Sequence, residues 1–127
     1  GRQLFDSAGT PVMILALSAV AGFLAVTFGA FGAHALSDRL SDEALGWWDT
    51  ATLYLLVHAG LATALCAADR NRFGAASAAL LTGGVVFAAT LYAMALGAPR
   101  WFGAITPFGG LGMLAGWALT AWAARKT

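Results

Sequence analysis

Polar residues gather in a few short segments of this chain, and four long apolar stretches lie between them, at residues 11–36, 50–68, 73–97 and 106–124. Each is close to the about 20 residues a helix needs to cross hydrocarbon. Lipid offers no water to backbone N–H and C=O groups, so each crossing must be helical. The pattern predicts an all-α fold: an integral membrane bundle of four transmembrane helices over about 11–36, 44–68, 73–97 and 106–124, with antiparallel neighbours, short loops and one domain over 1–127.

Capping signals place the ends. Thr10-Pro11 and Thr106-Pro107 each read as an N-cap followed by proline in the first helical position. Ser41 before Asp42-Glu43 reads as the N-cap of the second helix, with acidic residues where the helix dipole favours them. Asp69-Arg70-Asn71-Arg72 reads as a tight polar turn, and Gly97 as a left-handed cap closing the third helix before Pro99. Trp47-Trp48 and Trp101 are placed as interfacial tryptophans. The first stretch also resembles a signal sequence ending at Ala33-His34-Ala35, but its run of about 25 residues exceeds the 7–15 of a signal core.

Composition agrees with this class. The chain of 127 residues is 60% hydrophobic and only 10% charged, against about 25% charged in soluble domains. A net charge of +1 gives no reason to expect nucleic acid. The lone Cys66 excludes an intrachain disulfide. With both termini inside, that face holds Arg2, Arg70, Arg72, Arg125 and Lys126, and the outer face only Arg39 and Arg100. The positive-inside rule therefore predicts N-in, C-in in a bacterial inner (cell) membrane.

Small residues recur at helical spacing. Ser18, Gly22, Ala25, Gly29 and Gly32 form one stripe on the first helix; Ala76, Ala79, Gly83, Thr90, Ala93 and Gly97 form another on the third; Gly109, Gly112 and Gly116 form one on the fourth. Because lipid tails are as apolar as leucine, helices in a bilayer associate through the close approach such residues permit. The plain reading of these stripes is packing within the bundle; the sharper one is that one stripe docks a partner protein, since so small a chain has few interior positions.

Ionisable and hydroxylated side chains at membrane depth are the candidate functional groups. His34, Tyr54, His58, Tyr92 and Thr106 fall in the outer half and are expected to line one polar cleft. A haem shared by the two histidines is disfavoured, because the helical rise puts His58 about 10 Å deeper than His34. Cys66 and the histidines make a poor zinc set. Ser18 and Ser77 have no base on their own helix face, and the glycine-rich 106–112 segment has no Lys-Ser/Thr to make a phosphate loop. No metal and no cofactor are expected, and no catalytic residue is assigned.

Several motifs taken together carry a resemblance. Gly29-Ala30-Phe31-Gly32-Ala33-His34, Tyr54-x-x-x-His58, Leu91-Tyr92, and Thr106-Pro107-Phe108-Gly109-Gly110 followed by Gly116-Trp117 occur in order between Val12 and Trp122. The chain in this respect resembles the small membrane proteins of domain-of-unknown-function family 423, which takes in eukaryotic transmembrane protein 256. The resemblance implies a four-helix protein of bacterial inner membranes or mitochondria, implies no particular activity, and marks His34, Tyr54, His58, Tyr92, Thr106 and Pro107 as fingerprint positions. The family commonly has a polar residue beside the tyrosine of the second helix and a Ser-Gly-Ser-like run before that of the third; here Leu53 and Leu55, and Ala88-Ala89-Thr90, stand there. That loss of polar groups suits a member that packs against other membrane protein.

The resulting expectation is a non-enzymatic accessory or structural subunit of a larger inner-membrane assembly, respiratory or photosynthetic. Its partners are membrane lipids and other integral membrane subunits, with a lipid, quinone or pigment at the surface. The alternative is a quinone- or lipid-binding protein that uses the outer His/Tyr cleft.

Overall fold

A computed structural model describes residues 9–125, with side chains from residue 12 on. Four α-helices run α1 (Gly9–His34), α2 (Asp42–Ala68), α3 (Arg70–Ala95) and α4 (Thr106–Ala124), with a short 3-10 helix at Arg100–Ala104. All four are long and apolar enough to cross a membrane. Arg2 and Lys126 lie outside the described residues.

The caps explain the boundaries. Ser41 accepts the N–H of Ala44 at 3.1 Å and starts α2, with Asp42 and Glu43 in its first turn. Asp69 is at once the C-cap of α2 and the N-cap of α3, accepting the N–H of Arg72 at 3.1 Å. The 69–72 segment is thus a one-residue hinge, and Arg70, Asn71 and Arg72 form the first turn of α3, not a loop. Gly97 takes φ +111°, and the N–H groups of Gly97 and Ala98 bond to Met94 O and Ala93 O at 3.1 and 2.9 Å. This paired arrangement satisfies the last carbonyls of α3. Two expected caps differ. α1 is already helical at Gly9, so Thr10 lies inside its first turn. Ile105 is the N-cap of α4, and Thr106 is its first helical residue. The 3-10 turn ahead of α4, which no periodicity announced, feeds the chain into the helix.

Neighbouring helices are antiparallel, as paired positions show: Trp48 and Thr52 of α2 meet Gly32 and Gly29 of α1, and Leu80, Gly83 and Phe87 of α3 meet Gly116, Gly112 and Gly109 of α4. α3 is the most buried span and packs on each of the other three. At 3.6 residues per turn, the positions of α3 that meet α4 (Gly83, Phe87, Thr90) lie opposite those that face α1 (Leu81, Val85, Tyr92). α2 takes the side between them, through Gly84. The bundle is therefore an open arc around α3. Its core is built largely of alanine: Ala21, Ala25, Ala51, Ala59 and Ala88 are buried with Leu55 and Leu91. Large side chains such as Phe23, Phe108 and Leu114 point outward, the distribution expected where the solvent is hydrocarbon.

Trp47 and Trp48 do not both sit at the interface. Successive helical residues turn by about 100°. Trp47 packs under Arg100, whose guanidinium lies 5.4 Å from its ring centroid, while Trp48 is buried. Arg100 also pairs with Glu43 at 2.6 Å, joining the start of α2 to the segment before α4 at the exposed rim. The even number of spans puts the start of α1 and the end of α4 on one face. With the basic bias at that face, a C-terminal alkaline phosphatase fusion in bacteria is expected to be inactive and a green fluorescent protein fusion bright. The opposite pair of results would reverse the topology.

Candidate functional site

Hydroxyl groups inside a bilayer must find partners within the protein. Thr27, Thr52, Thr63 and Thr120 each bond the carbonyl four residues earlier, at 2.7–3.0 Å. Ser18 and Ser77 are fully buried with no side-chain hydrogen-bond partner. Other intramembrane polar groups form three separate junctions between helices.

His58 makes the first. Its Nδ1 lies 2.7 Å from Tyr54 O, and the Trp117 indole N–H donates to its Nε2 at 3.0 Å. A carbonyl can only accept and an indole can only donate, so the imidazole carries its proton on Nδ1 and its lone pair on Nε2. The Tyr54 ring stacks on it with centroids 5.9 Å apart and also tilts against Phe87. Gly84 makes room: a Cβ there would stand 3.2 Å from His58 Cβ. α2 and α4 are thereby bridged across α3.

Tyr92 makes the second. Thr52 Oγ donates to Trp48 O at 3.0 Å, so the 2.7 Å bond between Tyr92 and Thr52 carries the tyrosine proton to Thr52. Phe28, Trp48 and Tyr92 form an edge-to-face cluster at 4.5–5.9 Å, and the Trp48 indole donates to Phe28 O at 2.7 Å. Gly32 admits that indole: a Cβ at residue 32 would lie 2.5 Å from two of its atoms. The third junction is Thr90 to Thr106, 2.7 Å apart, each also within reach of a carbonyl of its own segment. It ties α3 to the first turn of α4.

The five candidate residues are thus distributed over different seams. Tyr54 and His58 are together, Tyr92 belongs to the α1–α2–α3 junction, Thr106 belongs to the α3–α4 junction, and His34 is exposed in the last turn of α1. Thr52, the partner of Tyr92, was not singled out from sequence, and Trp117, the partner of His58, entered only within the Gly116-Trp117 motif and not as a candidate site residue. A signal for Trp117 was present, since an indole N–H within hydrocarbon requires an acceptor. Among the described residues no three His, Cys, Asp or Glu side chains gather as metal ligands, and Cys66 is buried.

The small-residue stripes divide in use. Ser18 and Ala25 are fully buried, Gly29 meets Thr52, and Gly32 meets Trp48. Gly83, Gly109, Gly112 and Gly116 form the α3–α4 contact, backbone against backbone. Gly22 touches nothing within 4 Å of where its Cβ would be, and neither does Gly60 on α2. The two lie in an almost wholly apolar groove of about 670 Å³ where the inner halves of α1 and α2 diverge, between Phe23 and Val26 on one side and Leu56 and Ala64 on the other.

These features define a multi-pass membrane protein whose helices are joined by the His58–Trp117, Tyr92–Thr52 and Thr90–Thr106 bonds. A family profile described as "Protein of unknown function (DUF423)" matches residues 28–110. The chain belongs to that family. It is 39% identical over 114 residues to UPF0382 inner membrane protein YgdD of Escherichia coli K12, covering 87% of each chain. It is 41% identical over 116 residues to a UPF0382 membrane protein of Haemophilus influenzae, covering 89% of this chain and 94% of that one. A UPF0382 membrane protein of Staphylococcus epidermidis is 37% identical over 120 residues, 90% of this chain and 96% of the relative. No solved structure matches. The four spans and these relatives make it a multi-pass protein of the bacterial inner (cell) membrane.

Proposed function

We propose that this protein is a non-enzymatic accessory subunit, which stabilises or seals a larger inner-membrane assembly such as a respiratory or photosynthetic complex by accepting a transmembrane helix of that assembly in the α1–α2 groove. The observation that carries the reading is the pair Gly22 and Gly60: glycines at membrane depth with nothing within 4 Å of where a Cβ would stand, in an apolar groove open to lipid. Small residues let helix backbones approach closely, the main source of association in a bilayer. The side chains that chemistry would call on support the same reading. The hydrogens of His58 and Thr52 go to carbonyls of their own helix, that of Tyr92 goes to Thr52, and Nε2 of His58 is taken by the Trp117 indole.

Substituting Gly22→Leu and Gly60→Leu together places side chains in the groove, starting from Cβ positions that clash with nothing. Expressed at native level and purified in mild detergent, the variant is expected to keep its helicity and to lose the membrane protein that accompanies the wild type. A wild type recovered alone, or a variant with its company intact, overturns the proposal. The alternative, a bound quinone or lipid, has in its favour an apolar pocket of about 150 Å³ between α1 and α3 that reaches Tyr92. Its polar end is a tyrosine whose proton is already given to Thr52, which ranks it second.

A further inference from the structure

At the end opposite the Trp48 cluster, the first turns of α3 and the last turns of α4 leave a cleft of about 620 Å³. Its two walls differ. Asp69, Asn71 and Arg72 form a polar wall, and Leu119, Trp122 and Ala76 an apolar one. Arg125 stands over the Trp122 ring, with its guanidinium 3.5 Å from the ring centroid. Asp69 is already engaged: one oxygen accepts the N–H of Arg72 and the other lies 3.7 Å from Arg72 Nε. The terminal nitrogens of Arg72 face no second carboxylate, and neither Arg70 nor Arg125 has an ion-pair partner among the described residues. The two guanidinium groups at the cleft, Arg72 and Arg125, against one occupied carboxylate leave a net positive site.

We propose that this cleft binds an anionic phospholipid of the cytoplasmic leaflet. Arg72 and Arg125 hold the phosphodiester, and an acyl chain descends along Leu119 and Trp122. Three features select that occupant. The charge balance favours a phosphate and disfavours the added cation of a zwitterionic headgroup. The apolar wall gives an acyl chain a surface that a free anion would not use. The cleft lies between the first turns of α3 and the last turns of α4, at the depth where headgroup meets hydrocarbon, on the face to which basic residues assign the cytoplasm. It shares no residue with the α1–α2 groove, so either proposal stands without the other.

The test is native mass spectrometry of the full chain released from nanodiscs that mix phosphatidylcholine and phosphatidylglycerol. The wild type is expected to retain phosphatidylglycerol preferentially. Arg72→Gln and Arg125→Gln are each expected to lower that retention about fivefold, the effect of one basic residue near an anionic surface. Arg39→Gln, at the opposite rim, is expected to leave it unchanged. Trp122→Leu keeps apolar volume and should reduce retention while helicity stays intact, so the result does not hang on the arginine variants alone. Equal retention of the two lipids, or phosphatidylglycerol retention unchanged in R72Q/R125Q, overturns the assignment. So does a lipid-free sample in detergent whose melting rises as much with inorganic phosphate as with phosphatidylglycerol, because the occupant would then be a free anion.

Discussion

Gly83→Ala is expected to destabilise the protein by about 2–3 kcal/mol, the upper range for overpacking a tight core, while the same change at Gly22 is expected to be neutral or slightly stabilising. A methyl at residue 83 would lie 2.6 Å from Gly112 C and 2.7 Å from Gly109 O, and would press on Met113 N. These are backbone atoms, so no rotamer change relieves the clash; α4 as a whole must move. The reciprocal contacts are as tight. A Cβ at Gly109 would meet Gly83 O and Phe87 Cα at 2.8 Å, and one at Gly116 would meet Leu80 Cγ at 2.5 Å. Displacing α4 also pulls Trp117 away from His58 and Thr106 away from Thr90, so the loss extends beyond the local contact. Gly22 meets no atom, and there alanine only removes backbone freedom. Unfolding of the two variants in rising mole fractions of dodecyl sulfate, followed by circular dichroism, gives the comparison. Equal stabilities would refute the α3–α4 contact described above.

Removal of the His58–Trp117 bond is expected to have the next largest effect. Hydrogen bonds between transmembrane helices contribute roughly 1 kcal/mol each, and a buried polar group left without its partner costs about 1–3 kcal/mol. Trp117→Phe leaves Nε2 of His58 without a donor, and His58→Phe leaves the indole N–H without an acceptor. Each single variant is expected to lose about 1–2 kcal/mol. The double variant is expected to lose less than the sum, with a coupling of about 1 kcal/mol in the thermodynamic cycle. A strictly additive cycle would show that the two rings do not bond. Nitrogen NMR of ring-labelled histidine offers an independent check, with the His58 proton expected on Nδ1.

The two predictions separate what was legible in the chain from what was not. The four spans could be read because apolar length is a one-dimensional property: a segment either reaches across hydrocarbon or it does not. Ser41 and Gly97 were legible for a similar reason, since each acts on backbone groups three or four residues away. Asp69 was readable as polar but not as the single hinge between two helices, because arginines at 70 and 72 suit a loop and a first turn equally well. Thr106 misled because a hydroxyl before proline has the composition of a cap, whereas its bond goes to Thr90 on another helix. The candidate polar residues fell in the same half of the membrane, and that was taken for proximity. Rotation about each helix axis decides proximity, and it sends His58 to Trp117 and Tyr92 to Thr52.

The sequence by itself determined the class, the number of crossings and the residues small enough to bring helices together, since these depend on local length, composition and period. Only the tertiary structure decided which glycines are used within the chain and which are left facing lipid, which hydroxyl answers which indole or imidazole, and that the helices form an arc and not a closed square. Those outcomes depend on how each helix is turned and tilted against its neighbours. In a solvent as apolar as the side chains, no hydrophobic face exists to set that turn, and it follows from close packing among all four helices at once.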